Sequence, residues 1–432
     1  MRFRTLQAWL SWQERLHPRA IDLGLERVRV VQQRLGLQRP PFLLITVAGT
    51  NGKGSCVALL EAVLVAAGYR VGAYTSPHLL RYNERVRVAG AAVSDDELCA
   101  AFERIDRARG AISLTYFEFG TLAAMDIFFR AGLDVAILEV GLGGRLDATN
   151  AWDADLALIS TVDVDHSAWL GPDREAIGRE KAGIMRPWRP VVLGETAPPA
   201  SVLAHAAAVG AQPYSLGRDF GSDVGPAGWG WWGPGGHGWQ GLPEPLGGGA
   251  VQRGNAAAVL MALTLLAERC PVGVTAVREG LAAARLRGRA QCLDGAGLRW
   301  CDVAHNPQAA RALAARLREL PCAGRRHAVL GMLADKDAAG VVAALADEVD
   351  GWHAAGLAVP RGLSGAELAG RMGTLAAPVS VCENVAAALE AVAAQAGEQD
   401  RIIVVGSFYT VSAALRAGRV WLAGRPGAAV GG

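Results

Sequence analysis

Apolar residues fall in short runs without polar alternation at 43–48, 71–75, 135–140 and 156–162. Between them the spacing changes to a helical period, at 54–67, 95–107, 119–130 and 173–185. Runs apolar on both faces and separated by helices predict a parallel sheet covered by helices. Ahead of the first run, Trp9 and Leu10 are mixed with Gln13, Glu14 and Arg15, which predicts an amphipathic surface helix.

The alternation stops at 190–250, where Trp229-Gly230-Trp231-Trp232-Gly233 opens a Trp/Gly-rich stretch that closes on three glycines, 247–249. A hairpin-rich insert is expected there, with tryptophan packed on its outer face. A helical pattern returns at 255–269. A second alternation then begins, with runs at 298–304, 326–332, 352–359, 378–382 and 401–406, each followed by an Ala-rich helical pattern. This predicts a second α/β domain, with the boundary near Leu286-Arg287-Gly288-Arg289 and a frayed tail after about residue 420.

Composition narrows the classes. The chain has 432 residues, with 43 Lys+Arg against 41 Asp+Glu for a net charge of +2. That balance gives no broad attraction to nucleic acid or anionic lipid. Mean hydropathy is +0.21, yet the most apolar stretches carry Glu61, Asp347 and Glu348. A spanning helix of about 20 apolar residues is therefore not predicted. The 7 cysteines form no C-x-x-C pair and no export signal precedes them, so a cytoplasmic chain with reduced thiols is expected. Glycine is abundant, 54 residues against 20 Pro, which means low complexity or many tight βα turns.

Chemistry gathers at those turns. Gly49-Thr50-Asn51-Gly52-Lys53-Gly54-Ser55 lies between the first strand and its helix. Glycines let backbone N–H groups point around an anion, and the helix adds its positive N-terminal end. Lys53 would reach the β- and γ-phosphates and Ser55 a Mg²⁺ ion. The loop departs from the strict Walker pattern, with Val47 for Gly and Gly54 after the lysine. Strand, loop, Lys, Ser and helix in that order still favour phosphate binding over a plain turn.

Parallel strands end at one edge, where ligands bind. Ser76 follows the second run, Glu139 closes the third, and His166 follows the fourth. Hydroxyl, carboxylate and imidazole at one edge predict a Mg²⁺ site completed by phosphate oxygens and water, with the imidazole the least hard donor. Gly141-Leu142-Gly143-Gly144 lacks the third glycine of a dinucleotide fingerprint and reads as a tight turn near that edge. Periodicity leaves Lys181 open between a solvated helix face and a site residue.

These segments resemble the folylpolyglutamate synthase family of the Mur ligase superfamily, most closely its bifunctional bacterial branch. The resemblance rests on residues 49–55, Ser76-Pro77-His78-Leu79, Phe117-Glu118-Phe119-Gly120-Thr121, the run 138–150 and Asp165-His166. Glu180-Lys181-Ala182-Gly183-Ile184, Asp302-Val303-Ala304-His305-Asn306-Pro307, Gly331-Met332-Leu333, Asp335-Lys336-Asp337 and Gly406-Ser407-Phe408 extend it over nearly the whole chain.

The resemblance implies an α/β fold: a P-loop-type, mostly parallel sheet domain over 1–290 with the β-rich insert, then a smaller Rossmann-like domain over 291–432. It implies ATP at Thr50, Asn51, Gly52, Lys53, Gly54, Ser55, Asn255, Arg289, Asp302 and His305. It implies two Mg²⁺ ions at Ser76, Glu139, His166 and an N6-carboxylysine formed at Lys181. It implies pterin contacts at Asp22, Leu23, Gly24, Leu25, Thr115, Tyr116, Phe117 and Glu118, and catalytic roles for Lys53, Lys181 and His305. The implied reaction is ATP-dependent ligation of L-glutamate to dihydropteroate or a reduced folate through an acyl phosphate, by a monomer without nucleic-acid or membrane partners. A monofunctional folylpolyglutamate synthase or another Mur-type ligase is an alternative, and a P-loop switch NTPase a different class. Arg287, Ala290, Ala168 and Tyr409 stand where relatives carry Pro, Phe, an acidic residue and His.

Overall fold

The computed structural model describes residues 2–422 except 227 and 295. Most of the tail expected to fray after about residue 420 lies outside the described residues. The chain divides into two compact units, Met1–Arg285 and Leu286–Gly432, so Arg289 belongs to the second together with Asp302 and His305.

The first unit holds β1 (Leu43–Ala48), β2 (Val71–Tyr74), β3 (Val86–Val88), β4 (Ala91–Ala92), β5 (Val135–Glu139), β6 (Leu156–Ile159), β7 (Pro190–Leu193) and β8 (Gln212–Ser215). They form one sheet in the order β4-β3-β2-β5-β1-β6-β7-β8. Pairing is parallel from β2 through β8, and the short β3 and β4 run antiparallel at one edge. Register is what places the site. Val47 stands opposite Glu139 and Leu158, and Tyr74 opposite Leu138. The loops that follow β1, β2, β5 and β6 therefore leave the sheet level with one another.

Local chemistry sets the helix limits. The helix Asp95–Arg109 starts on a Ser94–Glu97 capping box, with acids in its first turn and arginines in its last. The helix Tyr116–Arg130 starts on a Thr115–Glu118 capping box. The helix Leu6–Gln13 buries Trp9, whose ring meets those of Phe102 and Phe119. That cluster is the core on one face of the sheet.

Two expectations about the insert are corrected. Residues 190–215 continue the parallel sheet as β7 and β8, joined by the helix Ala200–Val209. β8 is a partly exposed edge strand of mixed polarity, so it carries no apolar run. The true insert is an antiparallel sheet of β9 (Gly221–Gly225), β10 (Gly228–Trp232) and β11 (Gly238–Leu242), ordered β11-β10-β9. Trp229 and Trp231 do not face outward. Both are buried, and the Trp231 indole N–H donates to the Ala257 carbonyl (3.1 Å) in the helix Ala250–Leu265. Alternate residues of a strand share a face, and here that face packs on the helix.

The second unit holds β12 (Gln291–Cys292), β13 (Arg299–Asp302), β14 (Arg326–Leu330), β15 (Gly351–Ala355), β16 (Val379–Cys382) and β17 (Arg401–Val405). The order is β12-β13-β17-β14-β15-β16, parallel except at β12. Trp352, Leu330, Ile403 and Leu313 centre its core.

Trp231→Ala removes a buried ring and its indole hydrogen bond to the Ala257 carbonyl. We expect a loss of about 3–5 kcal/mol of stability, read from urea unfolding followed by circular dichroism.

Candidate active site

The loop after β1 is fastened to the end of β6. The Thr50 N–H donates to the Thr161 carbonyl (2.7 Å). Thr50 Oγ1 donates to the Asp163 carbonyl (2.9 Å) and accepts from the Asp163 N–H (3.0 Å). Ser160 Oγ donates to the Asn51 carbonyl (2.6 Å). Lys53 opens the helix Lys53–Ala66, and its Nζ donates to the carbonyls of Gly49 (2.8 Å) and Thr50 (3.2 Å). Gly52 is left-handed at φ 86°, and a Cβ there would stand 2.7 Å from Asn255 Oδ1. The structure thus brings Asn255 and Ser55, both buried, to this loop.

The second and third strand ends also meet. The Ser76 N–H donates to Glu139 Oε2 (3.1 Å), and the Ser76–Pro77 bond is cis. His166 is left-handed at φ 52° and begins the short helix Ser167–Leu170. Ser76 and His166 line one cavity of about 260 Å³. Glu139 is buried behind Ser76 and is not part of that wall. Among the described residues, no three His, Cys, Asp or Glu side chains cluster as a metal cage. One carboxylate, one hydroxyl and one imidazole suit a Mg²⁺ ion that keeps waters and binds phosphate oxygens.

Lys181 is not on a solvated helix face. It lies on the inner face of the helix Arg174–Ala182 and is 4% exposed. Gly144 touches that helix, since a Cβ there would stand 3.1 Å from Lys181 Cα. Burial pushes the Lys181 ammonium down to about 7, the Lys53 charge adds to this, and Asp165 and Asp147 oppose it. The Lys53 loop, the cavity wall at Asp147 and Lys181 therefore share one neighbourhood.

The same cavity is walled by Asp22, Leu23 and Gly24 on one side and Thr115, Phe117 and Glu118 on another. Leu25 and Tyr116, expected with them, do not line it. Leu25 is buried at the start of the helix Glu26–Leu35, and Tyr116 packs edge-on against Tyr82. Three residues with no assigned role in the sequence reading stand at or behind the wall. Asp147 lines it, with Oδ2 accepting from the Leu142 N–H (2.8 Å) and Oδ1 from Thr149. Arg85 lines it, donating to His78 Nδ1 (2.9 Å) beneath Tyr82 and Tyr116. Arg27 stands behind, joined to Asp22 and Glu118. The Asp147-Ala-Thr sequence is a local turn signal; Arg27 carries none for its second partner, because Glu118 lies 91 residues along the chain.

In the second unit, Asp302 ends β13 and is buried. Its carboxylate accepts from the N–H groups of Ala290 (2.6 Å) and Ala304 (2.7 Å). Burial pushes the Asp302 carboxyl up, while Arg289, those N–H groups and His305 oppose the shift. His305 Nδ1 is 2.9 Å from the Val303 carbonyl. Arg289, ahead of β12, and His305, after β13, thus both stand near Asp302.

Known proteins share this fold. The chain is 47% identical over 408 residues, 94% of each chain, to the Escherichia coli dihydrofolate synthase/folylpolyglutamate synthase. This chain belongs to that family. Its residues 288–408 match the Mur ligase, glutamate ligase domain. Escherichia coli FolC in complex with DHPP and ADP superposes with a TM-score of 0.90 at 46% identity, over 96% of this chain and 97% of that one. A Yersinia pestis bifunctional folylpolyglutamate synthase/dihydrofolate synthase with AMPPNP and Mn gives 0.88 at 46%, over 96% and 98%. Membership in this synthase family agrees with both α/β units and with the ligase expected from the sequence.

Gly52→Ala forces a side chain into a left-handed residue and against Asn255. We expect ATP affinity to fall by about tenfold or more in a fluorescent-nucleotide titration, with a loss of about 1–3 kcal/mol of stability.

Proposed function

We propose that this chain is an ATP-dependent amide ligase that joins L-glutamate to dihydropteroate, giving dihydrofolate, and to reduced folates, giving folylpolyglutamates. The observation that carries the reading is the meeting of the phosphate loop, the Ser76–Glu139 pair and the Asp22–Glu118 cavity at one sheet edge. The relatives with bound nucleotide and Mn, and the glutamate ligase domain match, support ATP, a divalent cation and glutamate as its partners.

The chemical problem is charge. A substrate carboxylate must approach the γ-phosphate of a polyanion. Lys53 and the N-terminal end of the helix Lys53–Ala66 offset that charge, and the loop amides orient the phosphates. Ser76, Glu139 and His166 would hold a divalent cation, which when bound neutralises phosphate charge. The carboxylate oxygen attacks the γ-phosphorus, the bond to ADP breaks, and an acyl phosphate forms. The neutral amine of L-glutamate then attacks the acyl carbon. Phosphate leaves with its bonding pair, the amine gives up a proton, and an amide remains. Arg289, Asp302 and His305 are read as nucleotide contacts from the second unit, with His305 catalytic as the resemblance implies.

The wall of Leu23, Phe117 and Leu142 with Asp22, Glu118 and Asp147 suits a flat ring bearing N–H donors, as a pterin does. Lys181 is proposed as a carbamate. Its neutral amine adds to CO₂ and loses a proton, giving an oxygen-donor anion in place of a buried cation, able to hold a second Mg²⁺. The chain is further read as a cytoplasmic monomer. Its 7 cysteines are all thiols in the fold, and none of the described helices is long and apolar enough to cross a membrane.

Release of ADP on adding L-glutamate with dihydropteroate, and separately with tetrahydrofolate, tests the reading; no turnover with either overturns it. Lys53→Ala is expected to lower that turnover by about a hundredfold or more while leaving the circular dichroism spectrum unchanged. With ¹³C-bicarbonate, wild type should show a carbamate carbon resonance that Lys181→Arg lacks. Because the ammonium titrates near 7, the reactive neutral amine and hence the resonance should grow as pH rises through that value.

A further inference from the structure

Arg27 lies in the first turn of the helix Glu26–Leu35, where the helix end is already positive. A cation there is disfavoured unless acceptors face it. Two do, from opposite walls of the cavity. Arg27 Nη1 donates to Asp22 Oδ2 (2.7 Å) and Nη2 to the Asp22 carbonyl (2.6 Å). Arg27 Nε donates to Glu118 Oε1 (3.1 Å), and Nη2 is 3.0 Å from the same oxygen. One guanidinium therefore joins the loop that carries Asp22, Leu23 and Gly24 to the first turn of the helix Tyr116–Arg130.

Both partners are anchored again behind it. Glu118 Oε2 accepts from the Thr115 N–H (2.8 Å) in the capping box. Asp22 Oδ2 is also 3.0 Å from His17 Nε2, whose Nδ1 is 2.9 Å from Ser113 Oγ. Partial desolvation pushes the Asp22 carboxyl up, but Arg27, His17 and Arg19 outweigh it and hold it below the usual carboxylate range. The loop itself has little else to fix it. Leu25 gives the helix no side-chain cap, and Gly24 N–H reaches the Leu146 carbonyl at 3.2 Å.

We propose that Arg27 is the positioning residue of the ring-binding cavity, clamping the Asp22 loop to Glu118 so that both carboxylates keep a fixed separation. The substrate named here rests on the ligase reading given above. A planar fork of five donors can serve both walls at once, whereas an ammonium is a single point of charge. The clamp touches neither the phosphate loop nor the Ser76–Glu139 pair, so its loss should weaken one substrate and not the other.

Arg27→Gln and Arg27→Lys should each raise the KM for dihydropteroate, by about tenfold or more in the former. The KM for ATP should stay within about twofold and kcat within about threefold. Amide hydrogen exchange through 20–25 in the protein without substrate should quicken in the same order, Gln above Lys above wild type. An unchanged dihydropteroate KM with unchanged exchange overturns the clamp, as does an ATP KM that rises in step with that of dihydropteroate. If Arg27→Gln does not fold, Arg27→Lys carries the same comparison. Wild-type protein inactive with dihydropteroate and tetrahydrofolate would sink the ligase reading and the named substrate, while the exchange order would still decide the clamp.

Discussion

The tie between the loop after β1 and the end of β6 is the constraint on which the first unit depends. Backbone N–H groups can cradle a polyanion only if the loop is already bent and cannot relax onto itself. Thr50 is locked to Thr161 and Asp163, and Asn51 to Ser160 and Thr161. Those partners belong to the segment that leads on to His166. The register of β1, β5 and β6 then brings Glu139 and Ser76 to the same level. One set of hydrogen bonds thus sets the loop, and one sheet edge sets everything around it.

Buried charge is the second theme. Lys181 has lost most of its water, and the nearby Lys53 makes its ammonium still less favourable. A buried cation of this kind either becomes neutral or gains an anionic partner. The proposed carbamate would replace that cation with an anion, which the Lys53 charge favours. Glu118 meets the same problem differently, with Arg27 on one side and its own helix cap on the other. Ionic groups cluster at this cavity, while the aromatic core around Trp9 and Phe119 packs behind the helix Tyr116–Arg130.

Most of the strand and helix pattern was legible along the chain. β1 occupies 43–48 as its unbroken apolar run predicts, and the alternation at 298–406 is the second sheet. The glycine loop after β1 was legible because its residues are contiguous. β8 was not, because an edge strand half open to solvent need not be apolar. The tryptophans of β10 were assigned to the wrong face, since alternation shows that two residues share a side but not which side is covered. Only the helix Ala250–Leu265, packed against them, makes that side the inner one.

The sequence by itself determined the two α/β units, the glycine loop with its lysine, and the residue types available for a cation and a flat ring. Those follow from local spacing and from groups adjacent along the chain. Tertiary structure decided the rest: that Lys181 is buried, that Arg27 spans Asp22 and Glu118, and that Leu25 and Tyr116 do not line the cavity. A charged side chain on a helix looks the same in sequence whether water or a neighbouring element faces it. Only the packing partner sets its desolvation and its hydrogen bonds, and those set its chemistry.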